Sequence, residues 1–173
     1  MSQLVSLSLS IAILGAVWAF LALGPLSGFV LVWAGFIAWG CYFHSNKALA
    51  KTIAGTCYGA LIAWIALLII THVPVPGLGT VWPAIVVGVT VFLLVIVASI
   101  DLLSAVPANV YGYAALVAYS LHQPSAEPST GPLHNLTSAS FANPLILIIV
   151  SLVIGAAFGH ASGLLAGALG KKS

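Results

Sequence analysis

The chain has 173 residues, 62% hydrophobic and only 3% charged, with four Lys or Arg against two Asp or Glu and a formal net charge of +2. A soluble domain carries roughly 25% charged and roughly 45–50% apolar residues, so this composition reads as an integral membrane protein. Four cations are too few for a surface that grips nucleic acid by neutralising many phosphates, and Cys41 and Cys57 lie in apolar runs without metal-ligand or disulfide spacing.

A hydrocarbon core needs about 20 apolar residues per helix. Six runs qualify in chain order: residues 4–23, 26–43, 52–71, 81–100, 102–121 and 144–169. The first lacks the basic start of a signal peptide, and Pro25 follows the would-be cleavage site, so it is read as a retained span. "GPLSG", "HSNK" and "HVPVPGLG" end the first three runs, and a lone Asp101 divides the fourth from the fifth. Residues 122–143 form the only long polar connection. Their Pro, Ser, Thr and Gly predict an ordered cap or a mobile loop, external in position and carrying His122, Glu127 and His134. The "NLT" at Asn135 matches a glycosylation triplet, but so short a pattern carries no weight. Lys47 and Lys51 follow span two, and Lys171 and Lys172 follow span six. With six spans these share one side, which the positive-inside rule makes cytoplasmic, together with both termini.

The two halves of the chain resemble each other. A shift of 73 positions sets the first span over the fourth, with Gly15 on Gly88, and sets "VWAGFIAWG" over "AVPANVYGY", with Gly35 opposite Ala108 and Phe36 opposite Asn109. A shift of 100 sets "IAGTCYGA" over "VIGAAFGH", pairing Gly55 with Gly155, Tyr58 with Phe158 and Gly59 with Gly159. Three spans per half is an odd number, so the second copy must run upside down. The expected architecture is one all-α, polytopic membrane domain over residues 1–173, six transmembrane helices in a three-plus-three inverted repeat. Its repeats cover about 4–71 and 81–169, helices two and five are broken, and sites in such folds lie near the midplane.

Candidate lining residues follow from that arrangement. In "VPANVYGY", Pro107 removes a backbone donor and disfavours helix at Val106, so a kinked or unwound segment is expected there, with Asn109 and Tyr111 beside it. Asn109 reads equally as pore lining and as a helix-to-helix hydrogen bond. Trp33, Phe36 and Trp39 lie three apart along one side of span two, which suits lipid or packing contact as well as a narrow wall. His160 is an intramembrane histidine, either functional or held neutral by a bond inside the bundle. Gly155, Gly159, Gly163 and Gly167 form a stripe that extends the Gly55 and Gly59 pair, and small residues so spaced let helices approach closely. No Asp, Glu, Lys or Arg sits in the middle of any span, which speaks against proton coupling and charge-selective conduction. Nothing suggests a cofactor, a metal or an activated nucleophile, so an enzyme is not expected.

The stretches "SIAILGAVWAFLAL", "WAGFIAWGCYF", "LLSAVP" and "LIIVSLVIGAAFGHASGLLA" resemble domain-of-unknown-function family 1097, small bacterial inner-membrane proteins. The WAGF block and the Gly-rich last span are the most specific parts, whereas span four and residues 122–143 match poorly. The resemblance implies a six-span chain in the bacterial inner membrane and brings no established activity or functional residue. The residues themselves lead to a channel or facilitative transporter for a small neutral or weakly polar solute, such as urea, ammonia, a short amide or a weak acid. A homo-oligomer in the lipid bilayer is expected. The alternative is a structural or accessory subunit that docks a partner through its Gly-rich helix.

Overall fold

A computed structural model describes residues 1–122 and 131–170. Glu127, Lys171 and Lys172, on which the loop and orientation readings partly rest, lie outside them. Among the described residues there are six α-helices: α1 (Gln3–Leu23), α2 (Val32–His44), α3 (Leu49–His72), α4 (Val81–Ile96), α5 (Val106–Leu121) and α6 (Pro144–Leu169). Ser2 caps α1 by accepting from the Val5 N–H, and Asn143 caps α6 by accepting from Leu145, each satisfying a backbone donor that a helix start leaves free.

Among the described residues, four helices are long and apolar enough to cross a bilayer: α1, α3, α6, and α4 counted to Ser99. The other two differ from the sequence expectation. At 1.5 Å per residue, α2 with 13 residues spans about 20 Å and α5 with 16 about 24 Å, against a hydrocarbon core of about 30 Å. Residues 26–31 are largely apolar but not helical, because Gly28 takes φ +84° and the chain turns there before reaching Val32. Pro107 does not break α5 part-way. It sits in the first turn, where a missing N–H costs no helical bond, and the irregular stretch precedes it as two 3-10 turns, Val97–Ser99 and Asp101–Leu103.

Two parallel helix pairs make the centre. In one, Leu31, Gly35, Trp39 and Tyr42 meet Ser151, Gly155, Gly159 and His160 in ascending order, so α2 runs alongside α6. In the other, Lys51, Gly55 and Gly59 meet Ser104, Ala108 and Tyr113, so α3 runs alongside α5. α1 lies antiparallel on α6, with Ser10 Oγ donating to the Ser162 carbonyl, and α4 lies antiparallel on α5, with Thr90 Oγ1 against Tyr113 Oη. Both outer helices keep an exposed apolar stripe: Leu4, Ile13, Val17 and Phe20 on α1, and Val81, Ile85, Val89, Phe92 and Ile96 on α4. Such stripes suit hydrocarbon rather than water.

Of the polar connection, residues 131–143 form an ordered cap. Leu136 is 1% exposed in the core, and its carbonyl accepts from Trp64 Nε1 at 2.8 Å and from Asn143 Nδ2 at 3.0 Å. His134 is exposed. At the opposite end, the start of α1, the end of α2 and the end of α6 share one face with Lys47 and Lys51, where Lys51 Nζ pairs with Asp101 Oδ1 at 2.6 Å.

Candidate functional site: the groove between α2 and α5

Where α2 passes α5, two hollows share His44 as a wall. One, of about 370 Å³, is walled by Phe36, Ile37, Gly40, Cys41, His44 and Tyr111. The other, of about 230 Å³, is lined by His44, Ser45, Asn46, Lys51, Ser104, Ala105 and Pro107. The first is mainly apolar and the second is rich in hydrogen-bond donors, so the groove changes chemistry along its length. Local sequence explains its shape. A Cβ added to Gly40 would meet no heavy atom within 4 Å, so this glycine leaves one side of α2 hollow. Asn46 and Lys47, at φ 53° and 59°, turn the chain sharply into α3 and bring Lys51 back beside Ser45.

The candidate lining residues separate. Phe36, Tyr111 and Pro107 border the groove. Trp33 is 69% exposed on the outer surface. Trp39 is buried on the other side of α2, donating through Nε1 to Ser162 Oγ at 3.0 Å and stacked on Phe36. Asn109 is buried between α5, α3 and α4. Its Nδ2 donates to the carbonyls of Leu94 and Leu103 at 3.2 and 3.1 Å, while Oδ1 has no hydrogen-bond partner and faces Gly55. Phe36 and Trp39 therefore pack with Trp18 and Phe158, while Trp33 points outward. His160 Nδ1 lies 3.0 Å from Tyr42 Oη, away from both hollows.

The glycines lie at the helix crossings. A Cβ on Gly55 would come 2.7 Å from Ala108 Cβ, one on Gly59 would collide with the Asn109 carbonyl, and one on Gly155 with the Gly35 backbone. Gly159 faces Trp39 and Gly163 faces Tyr42, whereas nothing lies within 4 Å of the space beside Gly167. The stripe on α6 is thus largely covered by α2 of the same chain.

Sequence reasoning passed over His44, Ile37, Gly40, Cys41 and Lys51 as lining. A signal was present: Phe36, Gly40 and His44 recur every four residues, and Ile37 with Cys41 runs beside them, which marks one helix face. In the sequence, Lys51 signals only orientation. Among the described residues, no three His, Cys, Asp or Glu side chains gather where they could hold a metal ion. The groove can therefore offer an apolar wall, a donor-rich end and one cation, Lys51, whose ammonium also donates to Ser104 Oγ at 3.2 Å.

Comparison with known proteins bears on this site only through the family. The family model described as "Protein of unknown function (DUF1097)" matches residues 8–167. No curated protein and no solved structure matches the chain.

Proposed function

The chain belongs to the DUF1097 family, and from that premise we propose that it is a passive channel or facilitative transporter for a small neutral or weakly polar solute, in the class of urea, ammonia, short amides and weak acids. The observation that carries the reading is the groove itself. It runs between the two helices that stop short of a bilayer's thickness, and it has donors at one end and an aromatic wall beyond. Irregular backbone at membrane depth is tolerated where protein or a water-filled cavity satisfies it. Lys51, Ser45, Asn46 and Ser104 replace part of the solute's hydration at the mouth. Phe36 and Tyr111 limit width and exclude hydrated ions.

A three-plus-three inverted repeat belongs to the same reading, and two pairs of contacts support it. Gly55 packs on Ala108 and Gly155 packs on Gly35; the shift of 100 exchanges the first residues and the shift of 73 the second. Likewise Lys51 bonds Ser104 while Ser151 Oγ accepts from the Leu31 N–H, at positions related by the same two shifts. In this reading α2 and α5 cross the membrane together with their irregular leads, giving six spans. The end bearing Lys47 and Lys51 is cytoplasmic by the positive-inside rule, as are both termini, in a bacterial inner membrane. Assembly as a homo-oligomer is part of the proposal. The rival accessory-subunit reading relied on an open glycine stripe, and Gly155, Gly159 and Gly163 are taken up within the protomer.

The test is solute entry into proteoliposomes, with urea, ammonia, acetamide and acetic acid as probes. Permeability above that of protein-free vesicles is expected for at least one solute, with a several-fold loss in Gly40→Leu, whose Cβ meets no heavy atom within 4 Å and whose side chain occupies the hollow. Permeability equal to that of empty vesicles for every solute overturns the reading.

A further inference from the structure

The apolar part of the groove is open on one side, and its rim is exposed: Ile37 by 38% and Tyr111 by 41%, with Trp33 beyond them at 69%. In a bilayer that opening meets hydrocarbon, and an apolar hollow of about 370 Å³ lies in the range of roughly 300–1,000 Å³ that small-molecule sites occupy. The donor-lined hollow at the lysine-bearing end shares His44 with it as a wall. An apolar trough that ends in a cation is the chemistry of an amphiphile whose head is anionic.

We propose that the groove binds an anionic phospholipid, its phosphate at Lys51 and one acyl chain laid along Phe36, Gly40 and Tyr111. Lys51 Nζ uses donors on Asp101 and Ser104 and has three in all, so one remains for a phosphate oxygen. Ser45, Asn46 and His44 border the same hollow. Asp101 is 89% exposed, and an ion pair that open to solvent is weak, so a phosphate accepting several charge-assisted bonds competes well for the ammonium. Lys47, in the same loop, adds to the attraction of an anionic leaflet. Gly40 supplies the room for the chain. The inference does not rest on the passage reading: a lipid here would compete with a solute, but its binding is read directly.

The experiment uses the full chain, delipidated in detergent, with phosphatidylglycerol and phosphatidylcholine as probes, followed by native mass spectrometry and thermal unfolding. Phosphatidylglycerol should be retained at one lipid per chain and raise Tm more than phosphatidylcholine does. Lys51→Gln should weaken that retention about tenfold, the size expected for losing a charge-assisted hydrogen bond, and Gly40→Leu should abolish it by filling the trough. Asp101→Asn, which frees the ammonium, should strengthen it. Equal retention of the two lipids by the wild type overturns the proposal, as does a preference that survives both Lys51→Gln and Gly40→Leu. A lipid-free dimer with the groove buried would overturn it in favour of a second copy of the chain.

Discussion

The side-chain amide of Asn109 donates to the Leu94 carbonyl at 3.2 Å, so a residue in the first turn of α5 holds the last turn of α4. The last four carbonyls of any helix lack partners within it, and in an apolar setting each unmet polar group is costly. Asn109 meets this one and the Leu103 carbonyl together, closing the irregular stretch between α4 and α5. Gly55 makes room, since a Cβ there would come 2.7 Å from Asn109 Oδ1.

Asn109→Ala should therefore destabilise the protein by about 1–3 kcal/mol, two hydrogen bonds of ordinary net worth. The loss should appear locally, as faster amide exchange over residues 94–105 in a detergent-solubilised sample. Unchanged exchange across that stretch would show that the clamp does not hold it.

The α6 glycine stripe should divide by sign. Gly155→Ala drives a methyl into the Gly35 backbone, an overpacking whose cost is typically about 1–3 kcal/mol. Gly167→Ala meets open space and should stabilise by up to about 1 kcal/mol through helix propensity. Thermal unfolding of the two variants side by side checks this; shifts of the same sign would contradict the placement of α2 against α6.

Trp39 and Ser162 should behave as a coupled pair, because Trp39 Nε1 donates to Ser162 Oγ at 3.0 Å while both side chains are buried. Trp39→Phe and Ser162→Ala should each lower stability. A double-mutant cycle should return a coupling of about 0.6 kcal/mol, the average for such bonds between membrane helices. Full additivity of the two losses would mean that no bond joins them.

The cap formed by residues 131–143 depends on Trp64. Its Nε1 donates to the Leu136 carbonyl at 2.8 Å, so Trp64→Phe removes one bond while keeping an aromatic ring. Residues 131–143 should then become more accessible to protease, with overall Tm lowered by only a few degrees, as about 1 kcal/mol implies. Proteolysis at the wild-type rate would place the hold on Leu136 elsewhere, with Asn143 as the remaining donor.

Much of the fold is legible in the residues. The runs 4–23, 52–71 and 144–169 correspond closely to α1, α3 and α6, because a long apolar run between breakers is a property of the segment alone. The same measure overextends α2 to residue 26, since Leu26, Phe29, Val30 and Leu31 are apolar whether or not they are helical. For α5 the proline pointed to a break, but the break lies before it: at the first turn of a helix Pro107 is compatible with helical backbone, and the irregular turns run from Val97 to Leu103.

The site was less legible. Trp33, Phe36 and Trp39 form one stripe by spacing, yet one is exposed, one borders a groove and one is buried against α6. Sequence by itself determined the membrane class, the long apolar helices and the close approach of helices at Gly55, Gly59 and Gly155. Only the tertiary structure decided which face of each apolar helix looks inward, and so that Asn109 joins α4 while Tyr111 meets Phe36 across a groove. The reason is physical: lipid and protein interior are equally apolar, so hydropathy does not distinguish a helix's inner face from its outer one. That choice is made by packing and hydrogen bonds between segments far apart in the chain.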